Sequence, residues 1–224
     1  MKLALGSVAT LLAISLLPAA FAADRKPVRT KPQRFDLSAD EWDTVKAGGI
    51  TVRHSNKGQV NDFFSAGYVK ASVDDVFWYY EDHNNTPKYQ NAIKRISVEE
   101  DLTPKRGNAA GEQGGYRRLK YEMVLPWPIG TRNFVLDLEG QGEAGKWGDI
   151  FWSKNTGGDC DCAADVDEMQ GSYVMTPYPD NRKWTLVRYW VRGDMRTWIP
   201  GWLVGFIQGR TIPNVIAQAR KDLE

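Results

Sequence analysis

Histidine, cysteine, serine and clustered acids carry most enzyme chemistry, and in this chain their spacing argues against it. The two histidines, His54 and His83, lie far apart, with neither a His-x-x-x-His step nor a Glu-rich neighbourhood to complete a zinc site. Each reads as a surface or hydrogen-bonded residue. No Gly-x-Ser-x-Gly elbow presents a nucleophile. Asp159, Asp161, Asp165, Asp167 and Glu168 gather in one region, but without the glycine and register of a calcium loop. They read as a solvated acidic loop. Gly140-Gln141-Gly142-Glu143-Ala144-Gly145 fits the spacing of a dinucleotide-binding turn. Lys146 to Trp152 then reads as a strand, so no helix N-terminus follows to hold a pyrophosphate, and a hairpin turn is the better reading. No catalytic residue, metal ligand or cofactor site is predicted.

Three other features keep some chemical interest. Cys160 and Cys162 are candidates for a disulfide, which would close a tiny, strained ring. A loop staple, a redox-active pair and an unpaired pair all fit this spacing. Trp127 sits between Pro126 and Pro128 at a turn, where an indole has no core to enter unless it folds over a cavity mouth. It reads as a lid or as a membrane-touching residue. Arg132 follows that turn. Pointing inward, it needs a ligand headgroup or an acid such as Asp82 or Asp137; pointing outward, it needs only an ordinary surface ion pair.

The elements that must position these residues are readable from periodicity. Ser38 to Glu41 forms an N-cap with a capping-box acid, predicting a short helix that stops at Gly48-Gly49. Strands are predicted at Ile50–His54 and Val60–Ser72, followed by a helical turn at Asp74–Tyr80 broken at Pro87. Further strands are predicted at Ile93–Glu100, Tyr116–Leu125, Arg132–Glu139, Asp149–Lys154, Gly171–Pro177 and Trp184–Arg192. From Pro200 to Glu224, Trp202, Leu203, Phe206, Ile207, Ile212, Val215, Ile216, Ala219 and Leu223 recur at helical spacing. This is one amphipathic helix that must bury its apolar face on the sheet. The fold class is α+β, with an antiparallel sheet curled around the closing helix.

Met1 to Ala22 carries Lys2, a short apolar stretch and Ala20-Phe21-Ala22, the parts of a secretory signal peptide. Residues 23–36 read as a basic, proline-bearing flexible leader, and 37–224 as one domain. The expectation is an exported chain, periplasmic or secreted. Loss of Lys2 with the signal would leave formal neutrality, which argues against nucleic acid as a partner.

Two stretches resemble START-like domains, of the superfamily that includes polyketide cyclases and coenzyme Q-binding proteins. One is Ala71 to Asp82 with Pro87 and Tyr89, in which Val76, Phe77 and Asp82 occupy the pattern's places. The other is Leu125 to Pro128 followed by Thr131 to Val135. Gly193 to Gly201, running into the helix that carries Pro213, adds a third likeness. The resemblance implies a helix-grip fold with an apolar tunnel between sheet and helix. Resemblance and apolar patterning together name Tyr80, Tyr89, Tyr121, Phe134, Tyr173, Trp190, Phe206 and Ile207 as cavity liners. Arg132 would orient a headgroup and Trp127 would gate entry. The expected function is binding or transfer of a lipid or other hydrophobic small molecule, with transient membrane contact. Two alternatives stay open: a cyclase, dehydratase or hydrolase using the same cavity, and a partner-binding domain with a filled interior.

Overall fold

A computed structural model describes residues 36–102, 112–127, 129–155, 165–196 and 199–224. The predicted signal peptide, nearly all of the leader and the Cys160–Cys162 pair lie outside the described residues. Helix α1 (Ala39–Lys46) starts as the sequence predicts: the Ser38 hydroxyl accepts from the Glu41 amide, and the Glu41 carboxylate accepts from the Ser38 amide. Gly48 ends it at φ 86°, a left-handed conformation that costs a glycine nothing. Strands β1 (Thr51–Lys57) and β2 (Val60–Val69) form a hairpin. Helix α2 (Val73–Glu81) begins at Ser72, whose hydroxyl caps the Asp75 amide. A 3-10 turn (His83–Asn85) and the short helix α3 (Thr86–Tyr89) follow.

The remaining strands are β3 (Ile93–Asp101), β4 (Glu112–Leu125), β5 (Gly130–Glu143), β6 (Trp147–Lys154), β7 (Glu168–Tyr178) and β8 (Asn181–Asp194). All eight join one antiparallel sheet in the order β1-β2-β8-β7-β6-β5-β4-β3. Consecutive strands from β3 to β8 are neighbours, so hairpins build this part, and β8 closes back on β2. The glycine-rich stretch Gly140–Gly145 is part of the β5–β6 hairpin. Gly145 sits at φ 71° and Lys146 N–H donates to the Glu143 carbonyl.

Strand alternation separates two faces. Leu119, Tyr121 and Met123 of β4, Phe134, Leu136 and Leu138 of β5, and Tyr173 and Tyr189 of β7 and β8 face the helices in one core. On the opposite face, Leu37 and Trp42 cover Val45, Tyr178 and Leu186, and Phe64, Ala66 and Trp190 form a further small cluster.

The closing segment is not one uniform α-helix. It comprises α4 (Gly201–Phe206), a π turn (Ile207–Thr211) and α5 (Ile212–Leu223). Pro213 explains the irregularity: it offers no N–H to the turn before it, and its ring crowds that turn's carbonyls. The Ile212 amide instead reaches back five residues to the Ile207 carbonyl. Beyond the proline, Ile212, Val215, Ile216 and Ala219 are buried. Burying each of the larger ones contributes about 1.5–3 kcal/mol.

Candidate functional site

Between the concave face and the helices lies a cavity of about 730 Å³. Its walls come from α2 and α3, strands β2 to β8, and the closing segment from Ile199 to Ala217. The site follows from alternation: each strand contributes every second residue, as with Phe134, Leu136 and Leu138 of β5. Gly171 lets Trp152 lie flat on the sheet, since a Cβ there would stand 2.3 Å from the indole. Aromatic rings line one wall: Tyr80 stacks on Tyr173 at 4.3 Å, Tyr173 on Tyr189 at 5.1 Å, and Trp152 meets Tyr173 at 4.9 Å.

The cavity reaches the surface where a lining residue is also exposed. Val124 (38% exposed) at the end of β4, Phe206 (46%) at the end of α4, and the exposed Asn91, Pro126 and Arg210 meet that condition. Beside these residues stand Trp127 (88% exposed) and Trp202 (60%), each close in sequence to a lining residue, Pro126 and Leu203.

The deep end is different. Arg117, on the same face as Leu119, Tyr121 and Met123, lines the cavity and is buried. Its guanidinium donates to the carboxylate and to the backbone carbonyl of Glu81 at the end of α2. Gly140 makes room for that carboxylate: a Cβ there would meet Glu81 Oε1 at 1.9 Å. Burial pushes the Glu81 carboxyl up to about 7, against the lowering pull of Arg117 and with a further raising push from Asp101. Glu81 lies behind Arg117 and does not itself line the cavity. Burial also raises the phenols of Tyr80, Tyr89, Tyr121, Tyr173 and Tyr189.

No protein-family model matches this chain, and neither does any curated protein. Solved structures do. A STAR-related lipid transfer protein from Xanthomonas axonopodis is 17% identical, with a TM-score of 0.57 over 78% of this chain and 93% of that one. The lipid transfer and protein localization domain of human StarD13 is 13% identical, with a TM-score of 0.58 over 78% and 84%. Human StAR-related lipid transfer protein 5 is 11% identical, with a TM-score of 0.55 over 82% and 89%. The chain has a START-like fold. Identities this low speak to architecture, and the helix-grip arrangement of curved sheet and closing helix is what the START-like structures share with it.

Within this START-like frame, Tyr80, Tyr89, Tyr121, Phe134, Tyr173, Phe206 and Ile207 all line the cavity. Trp190 does not. It pairs across from Phe64 on the opposite face, packs there with Phe64 and Ala66, and its indole N–H donates to Asp62 at 3.2 Å. Its neighbour Tyr189 is the liner, because a one-residue choice on a strand selects the face. Arg132 does not line the cavity either; it donates to the Thr131 carbonyl at 2.9 Å. Neither acid considered for it is its partner: Asp82 caps the turn at Asn84, and Asp137 accepts from Tyr116, Arg118 and Asn155. Trp127 stands outside the cavity on its rim. Two guanidiniums line the cavity: Arg210, exposed and over the Phe206 ring at 5.8 Å, and the buried Arg117, which the sequence reading missed. The alternation Arg117-Leu119-Tyr121-Met123 was the signal that could have found it. The histidines are placed apart: His54 Nε2 meets Asn61 Oδ1 at 3.1 Å, and burial lowers His83.

Proposed function

We propose that this protein binds, and moves between membranes, a lipid or other hydrophobic small molecule held in the 730 Å³ cavity. The observation that carries the reading is a large, mostly apolar hollow inside a START-like fold, walled by aromatic and aliphatic side chains that would otherwise close on each other. The solved structures of similar architecture include proteins named for lipid transfer. The driving force is desolvation: a ligand burying a few hundred Å² of apolar surface gains several kcal/mol at ~25 cal/mol per Å² before ordering costs. Arg117, held by its ion pair with Glu81, orients a polar end of the ligand at the deep end. Trp127, Trp202 and Phe206 dip into the membrane surface at the rim, where amphipathic rings are at home. The apolar stretch before Ala22 supports export as the setting.

Organic extraction of natively purified protein, with mass spectrometry of the extract, tests this directly. An apolar small molecule near one equivalent is expected. An empty interior, together with no exchange of fluorescent phospholipid between phosphatidylcholine vesicles, would remove the reading.

A further inference from the structure

The phenols inside the cavity are not equivalent. Tyr89 meets the Thr86 hydroxyl at 3.2 Å and also bonds Tyr173, and Tyr173 accepts from Gln90 Nε2 at 3.5 Å. Tyr189 accepts from the same amide at 3.4 Å. Among the described residues, nothing accepts the Tyr189 hydroxyl proton, and the Tyr121 hydroxyl has no hydrogen-bond partner at all. Both side chains are buried and both line the cavity. Neither oxygen is sealed among protein atoms without a partner, so the Tyr121 hydroxyl opens onto the hollow.

Their rings are held in place. Tyr121 lies parallel to Phe134 at 5.5 Å, and Tyr189 stacks on Tyr173 and Trp152. The donors are therefore aimed in advance, without the rotamer freedom that would let them find water elsewhere. Burial, and after it the like charge that Tyr89 or Tyr121 would carry if ionised, pushes the Tyr189 phenol up. Burial and Tyr89 do the same to Tyr121. Both stay protonated donors at any physiological pH. A phenol fixed in an apolar wall, with its proton unclaimed by the protein, is a donor held ready for whatever fills the hollow.

Resting on the reading of the cavity as a ligand site, we propose that Tyr121 and Tyr189 are specificity-determining donors for an acceptor oxygen of the ligand. Tyr121 stands three residues inside Val124, roughly 10 Å along the strand, and four short of Arg117. The ligand they select carries a ketone, ester or ether oxygen partway along an apolar body, rather than an unbroken hydrocarbon. An unbroken chain would bury both hydroxyls unpaired, and a cationic group would face donors only.

A matched pair of probes tests this in the full chain: 6-propionyl-2-(dimethylamino)naphthalene and its 6-propyl analogue, which lacks the carbonyl oxygen. At about fivefold per hydrogen bond, Tyr121→Phe should weaken ketone binding about 5-fold, and Tyr121→Phe with Tyr189→Phe about 25-fold. Binding of the propyl analogue should not weaken in either variant, because phenylalanine removes a hydroxyl that this analogue leaves unpaired, and its retention also reports that the cavity has kept its shape. Emission of the bound ketone should shift to the blue in the double variant, as its hydrogen-bond donors disappear. Equal ketone affinity in wild type and double variant, with unchanged emission, overturns the assignment while leaving the cavity's role intact. Failure of the wild type to bind either probe overturns both together.

Discussion

The wall of the cavity built from α2 and α5 and the rim built from α4 and the turn that carries Pro126 and Trp127 are made on opposite terms. Along α5, Ile212, Val215, Ile216 and Ala219 are buried, and polar ties pin the backbone as well. Arg220 donates to the carbonyls of Tyr68, Gly48 and Gly49, Tyr80 donates to the Val215 carbonyl, and Asn214 donates to that of Tyr89. Along α4 only Leu203 is buried, while Trp202 is exposed and Phe206 lines the cavity at its open end. Gly201 and Gly205 of α4 and Gly209 of the π turn recur every four residues, and a Cβ at any of them would meet nothing. Those glycines answer no steric demand, so they only weaken the helix. The two halves of one closing segment thus divide the work: α5 holds the fold, and α4 is the part of low local stability from which a mouth is made.

The strongest challenge to this contrast is Ile216→Ala, which removes a fully buried side chain from the anchored half. It should cost about 2–5 kcal/mol by chemical denaturation. A much smaller loss would mean that α5 is not the anchor.

Next is a pH dependence centred on Glu81, at the anchored end. Its carboxyl goes from 4.5 in the open chain to about 7 when folded, so folding takes up a proton between those values. Stability should therefore be highest at the acidic end of that window and fall as pH rises to about 7, by on the order of 3 kcal/mol from this group. Glu81→Gln should flatten the slope in denaturation curves collected across the window. A slope that survives the substitution assigns it to another group.

At the rim, Gly205→Ala should stabilise α4 by about 1 kcal/mol, the helix-propensity difference, because the added methyl meets open space. Slower release of a bound fluorescent probe in stopped flow would sharpen the contrast; an unchanged release rate would remove α4 from the path. The smallest expected effect on folding is that of Trp202→Ala, within about 0.5 kcal/mol. The same variant should sediment less with phosphatidylcholine vesicles, and a loss of stability without that change would reverse the roles assigned to the two regions.

Local signals and non-local ones were not equally legible. The capping box at Ser38, the strand hairpins and the amphipathic ending were readable because each depends on neighbours a few residues away. The π turn was not marked, although Pro213 was visible, because whether a helix kinks, stops or bulges at a proline depends on what it packs against. Trp190 and Tyr189 show the same limit at single-residue scale. Both are large aromatics on one strand, and composition prefers neither for the interior. Arg117 was passed over because a charged residue in a strand reads as solvent-facing until its partner, thirty-six positions away in Glu81, is brought beside it.

By itself the sequence determined the order of elements, the α+β class and the need for the closing helix to bury a face, since periodicity and capping are written in adjacent residues. Tertiary structure alone decided which side of each strand met the hollow, which guanidinium reached its deep end and which phenols were left with a proton to give. Those outcomes depend on distances between segments remote in the chain, and one residue of register or a few degrees of sheet curvature is enough to reverse them.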